Sequence, residues 1–590
     1  MSEGWTPDDL KEDQLLHLDV EMSIEESMER EKGPGRYGLG GTIPPPTLLH
    51  ISKRCAFISP LMFRSEALQL REAIKEGDVL ALQKLCDFPA AFSQTDERGW
   101  YPLHRAVVQP LVLVLQTVLH ASLRLTLEER TSEGESFLTL AVTAGFVENV
   151  KMLLDYGASP HTTNSNNESP LLLAVRSGSC QMVSSLIAGG ARVGQVCLKK
   201  WTAMHEACRA GCVGVVDLLL QNGGQVSETD QYGVTLLGVA AEYGHSEVLE
   251  LLIKHGADVN GRAPNGDSVL YDAAGSGNLD CIDILLQHGA NPNIHNLSSQ
   301  LPIHHAAYEG HLLALRTLIP ITTRRALRLS GYSPVHSAAD GGHAPCLELL
   351  LREGFDVNAR LAPHVSHGYG DARSSPLYFA VSNRDAACTE ILLRSGAQPD
   401  LDPLCCLLVA VRSGCREIAR LLLEAGADAN CRSALTSDAT FPTALQYCLK
   451  DEAMMRLLLH SGYDAEKCFR CNHGDDWDPL SGSDDSPETK EGVAFCDFVS
   501  VPRLAGLAGR VVSILLDYVG PVSLCSKLTK LVERHEEWPR IHRTTCNPRS
   551  LSHLSRVVIR KHLSCSALRS AQLPDRLRDF LMFRGNDLHD

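Results

Sequence analysis

A short sequence pattern recurs every 33 residues in the middle of this chain, and it constrains the fold more than any other feature. Gly-Ala or Gly-Gly pairs begin at five glycines with this spacing: Gly157, Gly190, Gly223, Gly256 and Gly289. Apolar pairs keep the same interval and begin at Pro170, Ala203, Leu236, Val269 and Pro302. A fixed period of this length predicts stacked copies of one small structural unit rather than a single globular core.

The residue types within each unit predict two short helices that end in a glycine. Thr202 and Thr235 directly precede apolar starts, where a hydroxyl can accept hydrogen bonds from the first helical N–H groups. Proline at the first helical position already has a helical φ, and glycine after the second helix can adopt the left-handed C-cap. One such unit cannot bury its own apolar face, so neighbouring units must stack.

The repeated unit resembles the ankyrin repeat. WTAMHEAC at residues 201–208 and LPIHHAAYEGH at 301–311 resemble its beginning, and KHGADVNG at 254–261 resembles its end. Weaker copies begin near Pro102, Phe137, Pro334, Pro376, Cys406 and Ala444, and residues 68–85 resemble a degenerate first copy. We therefore expect an all-α ankyrin-repeat solenoid of about twelve helix pairs with β-turn tips over residues 64–468, followed by a small helical domain.

The period is broken in two places. Pro334 and Pro376 are 42 residues apart, which leaves extra residues near 360–374, and the corresponding excess between Cys406 and Ala444 lies near 431–441. Insertions in solenoids form loops on one face, which is often the binding face. The alternative is a surface loop that is merely tolerated.

Charge and composition disfavour two classes of partner. The formal net charge is −16 and no basic stripe is present, so we expect neither nucleic acid nor an anionic membrane as a partner. No apolar run approaches the ~20 residues of a membrane span, and the N-terminus MSEGWTPDDLKEDQ lacks the features of a signal peptide. These observations predict a cytoplasmic protein, with the nucleus as a second location, whose 20 cysteines are thiols.

Residues 1–63 are predicted to form a mostly disordered tail that carries one short acidic helix at 18–30. This helix resembles a ubiquitin-interacting motif, in which acidic residues flank an apolar stripe. The candidate ubiquitin-binding residues are Val20, Ser23, Ile24, Ser27 and Met28. Ser23 stands where the motif prefers alanine, and Arg30 stands where it prefers an acidic residue. The alternative is an acidic amphipathic tail without a specific partner.

The residues after the repeats are predicted to form three segments: an acidic flexible loop at 469–494, a helical bridge at 495–545 and a tail of two amphipathic helices at 546–590. In the first tail helix, Leu551, Ser555 and Ile559 recur at every fourth position, with Leu554 and Val558 beside them. LPDRLRDFLMF at residues 573–583 predicts the second tail helix. An apolar helix pair at a chain end needs a partner, or the repeats themselves, to cover it.

An ankyrin array followed by S-L-x-x-L-x-R-x-x-I-R and L-P-x-x-L-x-x-F resembles the ankyrin repeat and SOCS box family, and the resemblance covers nearly the whole chain. Residues 99–110, 238–250 and 406–414 most resemble the subgroup of its fifteenth member, which has an N-terminal ubiquitin-interacting motif. The resemblance implies a substrate-recognition adaptor of a ubiquitin ligase, in which the array binds a target protein and the SOCS box binds the ligase core.

The same resemblance implies two binding sites on the tail. Elongin B/C would bind the first tail helix through Leu551, Leu554, Ser555 and Ile559. Cullin-5 and its RING partner would bind the later segment through Leu573, Pro574, Leu577 and Phe580. Two departures from the family affect these expectations: Ser555 replaces a preferred cysteine, and the first proline of the L-P-x-P motif is absent. A buried hydroxyl without a partner costs roughly 1–3 kcal/mol, which would weaken elongin binding about tenfold.

The substrate protein itself is unknown, but the repeat sequences offer candidate anchors. Tyr232, Tyr271 and Tyr308 recur near repeat starts, and aromatic side chains often anchor interfaces. The alternative for each tyrosine is packing against the next repeat.

Other motifs give weaker signals. GPGRYG at residues 33–38 matches G-x-G-x-x-G, but it contains a proline and follows no strand. Cys468 and Cys471, followed by His473, form half of a zinc site without a clear second half. We therefore expect no cofactor, no metal and no enzyme activity. A non-catalytic ankyrin scaffold without ligase coupling is the alternative to the adaptor function.

Overall fold

The structure, a computed structural model, describes residues 60–122, 126–370, 373–432, 440–471, 493–563, 568 and 571–583. These residues belong to two compact units. The first unit contains the chain up to Ala273 together with Asp280–Ala290, and the second contains Ala274–Leu279 and the chain from Asn291 onward. Over the described ranges the secondary structure is helical, with isolated β-bridges and no strand.

The helices of the first unit occur as consecutive pairs. They are Pro60–Glu76 with Val79–Leu85, Pro102–Val107 with Val112–Ala121, Phe137–Thr143 with Val147–Asp155, Pro170–Arg176 with Cys180–Ala188, Ala203–Arg209 with Val213–Gln221, and Ser246–Lys254 with the preceding Leu236–Glu242. A single 3-10 turn, Ala91–Ser93, stands between the first two pairs. The pair Val269–Ser276 and Leu279–Gln287 spans the boundary between the units in the sequence.

The second unit continues with pairs and ends with single helices. The pairs are Pro302–Tyr308 with Leu312–Leu318, Pro334–Asp340 with Ala344–Arg352, Pro376–Ser382 with Ala386–Arg394, Cys406–Arg412 with Arg416–Glu424, and Ala444–Cys448 with Glu452–His460. The further helices are Arg324–Ser330, Pro363–Ser366, Ala465–Phe469 (3-10), Phe495–Val499, Ala505–Leu507 (3-10), Ala508–Leu516, Ser526–Val532, Trp538–Cys546, Leu551–His562 and Asp575–Leu581. The described residues thus contain twelve helix pairs, which confirms the predicted all-α ankyrin-repeat fold. No helix in this part of the chain is long and apolar enough to cross a bilayer.

The ends of the repeat helices follow the predicted capping chemistry. Thr235 Oγ1 accepts the N–H of Gly238 at 3.1 Å, and an isolated bridge between Thr229 and Thr235 closes the turn tip before this helix. The glycines that follow the second helices have φ between +85° and +93°, a region that residues with a Cβ rarely adopt: Gly157, Gly190, Gly223, Gly256 and Gly289. The 33-residue glycine spacing is therefore a backbone requirement.

The helix Arg324–Ser330 of the second unit was not predicted. Arg324–Ser330 occupies the segment between two helix pairs, where other repeats have a turn tip. Thr323 Oγ1 caps its first turn by accepting the N–H of Ala326 at 3.2 Å, and Gly331 ends it with φ +65°. The period gave no sign of this helix, because Pro302 and Pro334 keep nearly the usual distance.

The predicted insertion at 360–374 packs against the repeats of the second unit. Leu361 is buried, and its N–H donates to the carbonyl of Ser374 at 2.9 Å, so the two ends of the insertion are joined. The Arg373 guanidinium lies 5.0 Å from the ring centre of Tyr369. The second insertion, near 431–441, lies mostly outside the described residues.

In two repeats of the second unit, a histidine at the fourth position of the repeat start connects the repeat to the next one. His304 Nδ1 accepts the N–H of Leu301 at 2.8 Å, and its Nε2 donates to the carbonyl of Tyr332 at 3.1 Å. His336 repeats the second contact, donating from Nε2 to the carbonyl of Ser374 at 2.9 Å. This pattern requires a neutral ring with its proton on Nε2. Burial lowers the pKa of His304 to about 4, which keeps the ring neutral at pH 7.

We expect the second unit to lose stability as the pH falls from 7 toward 4, with His304 responsible for part of the loss. A base with a lowered pKa in the folded state takes up a proton on unfolding, so the loss falls between the ordinary value of 6.5 and about 4. His304→Asn keeps an acceptor and removes the titration, so it should reduce the slope by up to ~1.4 kcal/mol per pH unit. Urea unfolding at a series of pH values measures this slope.

His295→Asn provides the control for this experiment, because His295 is an exposed histidine of the same unit. Equal pH slopes for wild type and both variants would show that His304 does not titrate on unfolding.

Candidate protein-binding site in the C-terminal tail

The first tail helix, Leu551–His562, is held against the helices that precede it. His553 Nε2 donates to the carbonyl of Val519 at 2.8 Å, and burial lowers the pKa of His553, which favours the neutral ring that this bond needs. Arg560 donates to the carbonyl of His460, the last residue of the final helix pair. Contacts near both ends therefore fix the orientation of this helix.

One face of the first tail helix remains in solvent. Leu551 is 80% exposed and Val558 is 55% exposed, and Ser555 lies between them, also exposed. Positions seven apart differ by only about 20° around a helix, so Leu551 and Val558 share this face. The sequence placed Val558 beside the stripe of Leu551 and Ser555, but Val558 was not among the candidate binding residues, although the seven-residue spacing was available as a signal.

The Ser555 hydroxyl has a partner within the helix. Its Oγ donates to the carbonyl of Leu551 at 2.8 Å. Leu554, half-buried on the neighbouring side, lines a cavity of about 410 Å³ together with Val557, Val558 and residues of the 520–523 loop. The exposed face and this cavity adjoin each other along the helix.

Ile559 lies on a different side of the helix from Leu551. It packs against a core formed by Leu568, Leu581 and Met582, and it is half-buried. Eight residues advance a helix by about 80° beyond two full turns, which rotates Ile559 from the solvent face toward the second tail helix. Leu551 and Ile559 therefore do not form one continuous solvent-facing stripe.

The candidate cullin-binding residues also divide into exposed side chains and side chains that pack within the tail. Pro574 precedes the second tail helix, Asp575–Leu581, and is exposed, and Leu577 is 42% exposed. Leu573 and Phe580 pack against the tail core. The Arg556 guanidinium lies 3.7 Å from the ring centre of Phe580, which joins the two tail helices.

The three candidate substrate-binding tyrosines occupy three different repeat positions. Tyr232 lies in a turn tip and is 67% exposed. Tyr271 lies in the first turn of Val269–Ser276 and is partly buried. Tyr308 is 46% exposed and ends its helix, Pro302–Tyr308, so the expectation that it stands near a repeat start is wrong. The tyrosines do not recur at one position, because the 33-residue period does not relate them.

The candidate ubiquitin-binding residues, from Val20 to Met28, lie outside the described residues, as do residues 472–492 of the predicted acidic loop.

Family models match the two parts of the chain separately. Ankyrin repeats match residues 138–230, 171–263, 222–296, 270–360 and 364–433. A SOCS box matches residues 547–582, the segment that contains both tail helices.

Individual relatives extend this result. The chain is 55% identical over 529 residues to ankyrin repeat and SOCS box protein 14 of Mus musculus, covering 88% of this chain and 90% of that protein. It is 36% identical over 276 residues to ankyrin repeat and SOCS box protein 2 of Mus musculus, covering 45% of this chain and 43% of that protein. A Bos taurus protein named dynein axonemal heavy chain 12 is 44% identical over 299 residues, covering 49% of this chain and 83% of that protein.

These relatives correct one expectation. The long match is to the fourteenth member and not to the fifteenth, so the subgroup predicted from the sequence is not supported. The name of the bovine protein is not carried over, because both family models and the 529-residue match indicate ankyrin repeats with a SOCS box. With ankyrin repeats, a SOCS box and a relative matched over most of its length, this chain belongs to the ankyrin repeat and SOCS box family.

Proposed function

We propose that this chain is the substrate-recognition subunit of a ubiquitin ligase built on elongin B/C and cullin-5. The repeats would bind a target protein, and the SOCS box would bind the ligase core. The chain would supply position rather than bond chemistry, because holding two reactants together replaces an encounter in solution. Neither matched family model is a catalytic domain.

The exposure of Leu551 carries this proposal. Its helix is held by His553 and Arg560, yet its side chain is 80% exposed in the first turn. Full burial of a leucine contributes ~1.5–3 kcal/mol, so a pocket on elongin C would gain that amount from Leu551 alone. A scaffold whose tail only covers the last repeat would have no use for this exposed leucine, which argues against the alternative function.

The exposed part of the second tail helix supports a second contact. Leu577 on this helix and Pro574 directly before it are exposed, while Leu573 and Phe580 pack against the tail core. Cullin-5 and its RING partner would contact Pro574 and Leu577, while Leu573 and Phe580 would hold the helix in position. The first proline of the L-P-x-P motif is missing, and this affects the cullin contact while the elongin contact stays unchanged.

Two further proposals concern parts of the chain that lie away from the tail. Val20, Ser23, Ile24, Ser27 and Met28 would bind ubiquitin, as the resemblance of residues 18–30 to a ubiquitin-interacting motif suggests. The site of action would be the cytoplasm and the nucleus, where cysteine-rich chains remain reduced.

The first prediction concerns the elongin contact. Leu551→Asp should weaken binding to purified elongin B/C by at least about tenfold, because it removes a buried leucine and places a charge in its pocket. Calorimetry with the full chain measures the affinity. Leu313→Asp is the matched control, since Leu313 is also an exposed leucine at the start of a helix. An affinity for Leu551→Asp equal to that of the control would refute the elongin assignment.

The second prediction concerns Ser555, where the structure changes the expectation from sequence. The expected tenfold loss of elongin affinity assumed a hydroxyl without a partner. The Ser555 hydroxyl, however, already donates to the Leu551 carbonyl. Ser555→Cys should therefore change elongin affinity by less than roughly threefold. Ser552→Cys controls for a new thiol on the same helix. A gain of tenfold or more would mean that the hydroxyl loses this partner in the complex.

The third prediction concerns substrate capture. Charge reversal at the tip of Tyr232 would damage the fold, because Asp230 Oδ1 accepts the N–H groups of Tyr232 and Val234 at 2.9 Å. Tyr232→Ala removes only the exposed ring and should reduce substrate recovery severalfold without shifting the melting temperature. Each variant is made in a chain that also carries Leu551→Asp. Quantitative mass spectrometry of the proteins recovered with each variant measures the substrate recovery.

Two variants serve as comparison. Tyr243→Ala changes an exposed tyrosine at the end of a repeat helix and should keep the substrate. His367→Asp changes an exposed residue of the 360–374 insertion. Loss of substrate with His367→Asp and retention with Tyr232→Ala would identify the insertion as the binding element and refute the role of Tyr232.

A further inference from the structure

Three cysteines from separate segments of the second unit converge between the last repeat and the tail. Cys471 follows the 3-10 turn Ala465–Phe469, Cys496 lies on the helix Phe495–Val499, and Cys525 directly precedes the helix Ser526–Val532. Their sulfur atoms all lie within 4.8 Å of one another. In the described part of the chain, no other group of three histidine, cysteine or acidic side chains converges in this way.

We propose that Cys471, Cys496 and Cys525 bind a zinc ion. Zinc takes thiolates at ~2.3 Å in a tetrahedral arrangement, which places neighbouring sulfurs about 3.8 Å apart. The three sulfurs already lie within 4.8 Å of one another, so a small closure of the three segments would bring them to this spacing. A water molecule would complete the tetrahedron as the fourth ligand.

The surroundings of the three sulfurs suit an ion. Cys525 Sγ accepts the N–H of Leu528 at 3.4 Å, a contact that helps to stabilise a metal-bound thiolate. Cys496 is buried while Cys471 and Cys525 are half-buried, which leaves a path for the ion from solvent.

The alternative interpretation is a cluster of buried thiols. On helices of separate repeats, buried cysteines such as Cys346 and Cys388 take the positions of small hydrophobic residues. The cluster differs because three thiols converge and none of them forms a disulfide.

The site differs from the half-site found in the sequence. Cys468 is buried, its sulfur lies 3.8 Å from the Tyr463 hydroxyl, and it does not belong to the converging group. His473 lies outside the described residues. The structure therefore pairs Cys471 with Cys496 and Cys525, which are separated from it by 25 and 54 residues in the sequence.

Zinc at this position would connect the end of the repeats to two of the bridging helices. The first tail helix contacts the same region through the Val519 carbonyl and the 520–523 loop. Loss of the ion should therefore loosen the support of the SOCS box without altering the repeats that precede it.

The full chain, purified without a histidine tag under reducing conditions from cells supplied with zinc, tests this proposal. Metal analysis should find about one zinc per chain, and cobalt replacement should give the charge-transfer and d–d absorption of tetrahedral thiolate coordination. The cobalt spectrum of the wild-type chain does not depend on whether any variant folds. Wild-type protein with neither zinc nor a cobalt spectrum would overturn the proposal, as would copper in place of zinc.

Variants identify the ligands. Cys471→Ser, Cys496→Ser and Cys525→Ser should each lower the zinc content at least about fivefold, while Cys468→Ser, a buried cysteine of the same segment, should retain it. Circular dichroism of each variant confirms that its helices are intact. Loss of zinc from Cys468→Ser together with retention of zinc by Cys496→Ser and Cys525→Ser would assign the ion to the Cys468–Cys471 pair and contradict the three-cysteine site.

Discussion

Each helix pair of this chain has an apolar face that it cannot bury alone, so every repeat depends on its neighbour. In one repeat, Leu237 and Ala240 of the first helix and Leu249 and Leu252 of the second are buried almost completely. Short aliphatic side chains allow the helices to approach closely, which suits a chain in which aromatic residues make up only 5%. Hydrogen bonds from His304 and His336 to the carbonyls of the following repeat add direction to this stacking.

The need to cover an apolar face also explains why one side of the tail is buried. The last helix pair has no further repeat to cover it, and the bridging helices take that place: Arg510 pairs with Glu452, and the Tyr518 hydroxyl lies 2.7 Å from His460 Nε2. The first tail helix joins this cover through Arg560. Covering the last repeat accounts for the buried side of the tail, including Ile559, but it leaves Leu551 in solvent. Under the proposed function, a partner that buries Leu551 would account for the remaining side.

The sequence predicted the repeated parts of this fold better than the single features. Capping residues such as Thr235 and left-handed glycines such as Gly256 recur at equivalent positions, because the backbone geometry of each repeat requires them there. This recurrence is why they could be recognised in the sequence. The helix Arg324–Ser330 replaces one turn tip and hardly changes the repeat period, so no sequence pattern indicated it. From the sequence, Tyr308 was expected near a repeat start, but it lies at the end of its helix.

The candidate sites show the same limit. Leu551 was identified from a family motif, but the separation of Leu551 from Ile559 depends on the position of the second tail helix, which sequence spacing does not contain. Cys471, Cys496 and Cys525 are distant in the sequence, and only the packing of three segments brings their sulfurs together. Contacts that depend on tertiary packing of non-repeated segments were thus beyond sequence reasoning.

The central claim is that this chain connects a bound protein to a ligase core through its SOCS box. Native mass spectrometry of the full chain mixed with purified elongin B/C, cullin-5 and its RING partner tests this most directly. The account predicts one assembly that contains a single copy of each component. A chain that stays apart from elongin B/C under these conditions, while its repeats remain folded, would contradict it.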